Sequence, residues 1–68
     1  MAQWKVEIKR LAEDFYISQV AVNRILKKIE SIYGQGKRER EIPKYYKGNL
    51  NEFLYDKAQR EIMNLIYA

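Results

Sequence analysis

The chain has 68 residues, 47% of them hydrophobic and 32% charged, with a net charge of +4, no histidine and no cysteine. A single domain of this size buries only roughly 60% of its unfolded surface, which leaves little room for an elaborate catalytic cavity. Without thiols or imidazoles there are no disulfides, no zinc-finger ligand set and no histidine acid–base chemistry, and no apolar run approaches the roughly 18 residues of a membrane span.

The spacing predicts a first helix from Met1 to Phe15. Trp4, Ile8, Leu11, Ala12 and Phe15 recur at three- and four-residue intervals and form its buried stripe, while Val6 falls off it. Trp4 reads as a large core anchor. Glu13 and Asp14 lie at the helix C-terminus, where the macrodipole disfavours anions, and Lys9 and Arg10, four residues back, are placed to offset that cost.

Only a few residues separate this stripe from the next, so the chain must turn sharply and two helices must pack on each other. Ser18 is the expected N-cap of the second helix, with Ile17 and Val22 placed as a hydrophobic staple around it. The helix runs to Tyr33, with Gly34 or Gly36 as its stop. If Val22, Ile25, Leu26 and Ile29 face inward, the outward set is Gln19, Val20, Asn23, Arg24, Lys27 and Lys28. That set holds no acidic residue before Glu30, and its chemistry suits DNA. Gln and Asn bond bidentately to adenine, Arg to guanine, and Val20 can lie against a thymine methyl. Gln19, Val20, Asn23 and Arg24 are therefore the candidate base contacts. Ser18, Lys27 and Lys28 are better placed for phosphate.

The stretch LAEDFYISQVAVNRIL resembles the helix-turn-helix pattern, in which a small Ala packs inside the first helix and a Ser opens the second. A β-branched residue follows four positions later, then an aliphatic three further on; Ala12, Ser18, Val22 and Ile25 fill these slots. Tyr16 stands where that superfamily most often has Gly, a residue free of Cβ strain in a left-handed backbone. The resemblance covers about a third of the chain. It implies a helix offered to the DNA major groove while its partner crosses the backbone.

Residues 34–48 form a basic loop. Two glycines open it, Pro43 interrupts any helix, and Lys37, Arg38, Arg40, Lys44 and Lys47 outnumber Glu39 and Glu41. It reads either as a solvated loop or as a phosphate-contacting arm or minimal wing, with a short extended piece around Ile42 to Tyr46. Tyr45 and Tyr46 either stack on unpaired bases or split, one onto the core and one outward. Counted by segment, residues 1–17 are neutral, 18–33 carry +2, 34–48 carry +3 and 49–68 carry −1. Positive charge in the middle of the chain is the footprint of one helix and its following loop facing a polyanion.

Asn49 is the expected cap of a third helix over residues 49–67, with Glu52 completing a capping box and Asn51 as the competing cap. Leu50, Phe53, Leu54, Ala58, Ile62, Leu65 and Ile66 form its stripe. Its last turns are apolar all round, which predicts self-association through Ile62, Met63, Leu65, Ile66 and Tyr67, or a fully engaged core helix.

The expected fold is thus all-α: one three-helix domain, with the helix-turn-helix at about 3–33 and the basic loop before a C-terminal core and dimerisation helix. The expected function is sequence-specific binding of double-stranded DNA by a homodimer, as a small transcription regulator. The alternatives are a phage or mobile-element accessory factor in excision, partition or packaging, a protein–protein interaction module, and an RNA or single-strand binder working through the loop. No phosphate-cradling glycine loop and no nucleophile with a base is present, so no enzyme activity, cofactor, metal or small-molecule ligand is expected. No cationic leader with a cleavage site opens the sequence, so the expected location is the cytoplasm, at the nucleoid, away from membranes.

Overall fold

The computed structural model describes residues 3–34, 39–46 and 48–67. Three helices, α1 (Gln3–Asp14), α2 (Gln19–Tyr33) and α3 (Leu50–Tyr67), form a compact bundle; 3-10 turns at Glu39–Glu41 and Lys44–Tyr46 bridge α2 to α3, and the described residues include no strand. No described helix is long and apolar enough to cross a membrane.

Each helix contributes one stripe to a shared core: Trp4, Ile8 and Ala12 from α1, Val22, Ile25, Leu26 and Ile29 from α2, Phe53, Leu54, Ala58 and Ile62 from α3. At about 1.5–3 kcal/mol for each large aliphatic or aromatic side chain, this burial is the main favourable term holding the bundle. The helix α1 packs more extensively on α3 than on α2. The start of α1, the end of α2 and the start of α3 meet at one end of the bundle, as the Lys5–Glu30 ion pair, the Tyr33–Phe53 ring contact and a Trp4–Asn51 hydrogen bond show.

The turn between α1 and α2 is set by backbone bonds. The Ile17 N–H donates to the Ala12 carbonyl (3.0 Å) and the Tyr16 N–H to the Glu13 carbonyl (3.1 Å). This is the Schellman pattern, which requires a left-handed residue between those two donors' partners and the following chain. Tyr16 supplies it, with φ of +58°. The glycine-like position is therefore occupied by a tyrosine in the glycine conformation, and the bend keeps its tight form. Ser18 caps α2 as expected, its Oγ accepting from the Val20 N–H at 3.2 Å. At the other end Gly34 stops the helix with an extended backbone, and its N–H donates to the Glu30 carbonyl at 2.7 Å. A Cβ at Gly34 would collide with that same carbonyl oxygen, so here glycine answers a close approach.

Three core expectations need correction. Phe15 is 43% exposed. Helix α1 ends at Asp14, and the chain leaves the helical path before Phe15 could reach the core; Ile17 packs there instead. Leu50, the first residue of α3, is exposed at the helix start, and Leu65 is 53% exposed, off the Ile62 and Ile66 side that meets the core. No extended piece forms at Ile42 to Tyr46. The Tyr46 N–H closes a turn onto the Pro43 carbonyl (2.9 Å), because its ring packs edge-on against Phe53 with centroids 5.4 Å apart.

Both asparagines at the start of α3 act as caps, on different helices. Asn49 caps α3, its Oδ1 accepting from the Glu52 N–H (3.1 Å) while its Nδ2 donates to the Glu52 carboxylate (3.0 Å). Asn51 reaches across the bundle, and its Oδ1 accepts from the Trp4 backbone N–H at 2.8 Å. That N–H is one of the four donors that the start of α1 leaves without an intrahelical partner.

Candidate nucleic-acid interface

The amphipathic pattern of α2 turns one side into the core and leaves the other outward. Gln19, Val20, Asn23, Arg24, Lys27 and Lys28 are all exposed. Val20, an apolar side chain at 62% exposure, contributes nothing to the core. The Schellman turn and the Ser18 cap together fix how α2 leaves the bend, so Gln19 and Val20 project beside the α1–α2 turn. Ser18 Oγ spends one acceptor position on the cap; its hydroxyl proton remains able to donate to an anion.

The two lysines of the outward set differ. Lys28 pairs with Glu61 of α3 at 3.0 Å, which draws it to the α3 flank and compensates its charge. The pair is exposed and worth only a few tenths of a kcal/mol up to about 1. Lys27 faces the opposite flank. There, Lys5 and Lys9 of α1 and Asn23, Leu26, Lys27 and Glu30 of α2 line an open groove of about 240 Å³. Glu30 is paired with Lys5, and Lys5 also sits 5.8 Å from the Trp4 ring centroid.

Lys5 and Lys9 are absent from the sequence-derived site because residues 1–17 sum to zero charge. A charge sum along the chain ignores faces. Lys5 and Lys9 lie one turn apart on the flank toward α2, whereas Glu7, on the other side of the stripe, bonds to Gln3 at 3.0 Å. Among the described residues Glu13 and Asp14 make no ion pair with Lys9 or Arg10, and Lys9 lines the groove instead.

The basic segment divides. Lys37, Arg38 and Lys47 lie outside the described residues; Arg40 and Lys44 are exposed on the 3-10 turns. The second of these turns leans on α3 through Tyr46 and Phe53, and Phe53 meets Tyr33 at the last turn of α2, with ring centroids 5.1 Å apart. Lys44 therefore belongs to the Tyr33 end of α2, roughly 20 Å along the helix from Gln19 and Val20. The two tyrosines split, with Tyr46 on the core and Tyr45 outward, their rings 4.5 Å apart. Partial burial, followed by the nearby carboxylate of Asp56, raises the Tyr46 phenol above its ordinary pKa.

The residues expected to mediate self-association are not one surface. Ile62 is fully buried in the chain's own core, so it leaves that set. Ile66 packs against the same core and Met63 is half-buried, which leaves Leu65 and Tyr67 as the exposed apolar pair. The apolar girdle of the last turns arises because two of its members serve the bundle itself.

The class this defines is a small all-α three-helix domain. Comparison with known protein families, with curated proteins and with solved structures gives no match.

Proposed function

We propose that the chain is a helix-turn-helix protein that binds double-stranded DNA in a sequence-specific manner through α2, acting as a dimeric regulator of transcription. The observation that carries this reading is the outward face of α2. Gln19, Val20, Asn23 and Arg24 stand exposed in succession at its N-terminal half, with no carboxylate among them, beside a turn in which Tyr16 adopts the left-handed conformation of the turn glycine. Gln19, Asn23 and Arg24 supply the donors and acceptors that read adenine and guanine edges, Val20 the apolar contact for thymine, and Lys27 and Ser18 hold phosphates. Leu65 and Tyr67, exposed at the end of α3, are the surface through which two copies would join. Their reading helices would then meet half-sites about 34 Å apart.

Electrophoretic titration of duplex DNA at two salt concentrations tests the first part. Steeply salt-dependent binding is expected, and Asn23→Ala or Arg24→Ala should each cost about 1–3 kcal/mol and relax sequence preference. An absence of duplex binding at low salt ends the reading. For the dimer, Leu65→Glu should halve the sedimenting mass without unfolding the chain; an unchanged mass removes self-association through α3.

A further inference from the structure

We propose that the groove between α1 and α2 seats a backbone phosphate of the duplex, and that Glu30 is a built-in competitor that sets how strongly the seat holds. The proposal rests on the reading of α2 as a DNA-contacting helix and extends the interface to α1. Lys5, Lys9 and Lys27 line this groove together with Asn23, so three cationic residues stand there against one acidic residue, Glu30. A phosphodiester oxygen needs such convergent donors, and lysine meets phosphate as a point charge. The groove borders Asn23, so the seated phosphate lies beside a base that Asn23 reads, and register and readout are fixed from one flank. Glu30 already holds Lys5 in an ion pair whose side chains keep 26% and 50% of their exposure. A pair this exposed opens at little cost, yet its carboxylate stays next to the incoming phosphate and repels it.

The test is titration of the full chain against random-sequence duplex over a range of salt, with circular dichroism to confirm that each variant is folded. Lys9→Ala should weaken all sequences alike and release about one fewer counterion. Glu30→Gln should bind tighter and with a slope steeper by about one, so that its advantage over the parent shrinks about threefold between about 50 and about 200 mM salt. Glu7→Gln, which adds the same charge on the opposite flank of α1, should do far less, because screening confines the effect to a Debye length of about 8 Å near physiological salt. Glu30→Gln acting no more strongly than Glu7→Gln, or Lys9→Ala leaving the slope unchanged, overturns the seat. If Arg24→Ala still relaxes sequence preference in that case, the reading of α2 survives it. An absence of duplex binding by the parent chain overturns both.

Discussion

Replacing Tyr16 by glycine should make the protein more stable. A left-handed backbone costs an L-residue about 1–2 kcal/mol, and Tyr16 holds φ at +58°. Glycine removes that strain but costs about 0.4–1 kcal/mol through the greater freedom of its unfolded chain. The lost ring subtracts nothing further, since Tyr16 is 96% exposed. The balance is a gain of roughly 0.5–1 kcal/mol, which for a domain of this size raises the melting midpoint by roughly 2–8 °C. Thermal denaturation followed by circular dichroism measures it, with a urea titration to confirm an unchanged m-value. Tyr16→Ala is the control, because it removes the ring and keeps the Cβ; it should stay within about 0.5 kcal/mol of the parent. Equal shifts in the Gly and Ala variants would refute the reasoning, because strain would then not separate them.

Other outcomes follow from the same contacts. Asn51→Ala leaves the Trp4 N–H without its partner and should cost about 1–2 kcal/mol, with amide exchange accelerating at the first turn of α1. Ile62→Ala opens a cavity in the shared core and should cost about 2–5 kcal/mol, while Val20→Ala, at a position 62% exposed, should stay within about 0.5 kcal/mol; chemical denaturation separates them. The folded pKa of Tyr46 lies above the ordinary 10.0, so folding retains the phenolic proton. That contribution is complete below the ordinary value and is lost as pH rises through the raised pKa. Tyr46→Phe should therefore make the alkaline loss of stability shallower, and spectrophotometric titration should lose one phenol that ionises above the usual range.

Local rules carried the helices and their caps into view from sequence. Ser18 and the Asn49–Glu52 pair are readable because a cap depends on residues within one turn, and the stripes of α1, α2 and α3 because burial follows helical period. What escaped depends on partners distant in the chain. Phe15 fits the periodicity of α1, but the Schellman bonds from Tyr16 and Ile17 end the helix one residue too early for it. Asn51 was one of two competing caps on a single helix until tertiary structure gave each its own. On α2 the outward set was legible because its complement is the core stripe; the contribution of Lys5 and Lys9 was not, because only packing reveals which flank of α1 borders the groove.

The hydrogen bond from Trp4 to Asn51 joins residues 47 positions apart. During synthesis, α1 and its turn are made well before the side chain that completes the first turn of α1, and before the face of α3 on which α1 chiefly rests. Residues 3–33 are therefore not expected to hold their geometry as an excised peptide, and moving that segment into another scaffold would transfer the pattern without its support. Recoding the exposed positions Gln19, Val20, Asn23 and Arg24 inside the intact chain touches none of these connections. New specificities should be sought by substitution in place rather than by transplantation.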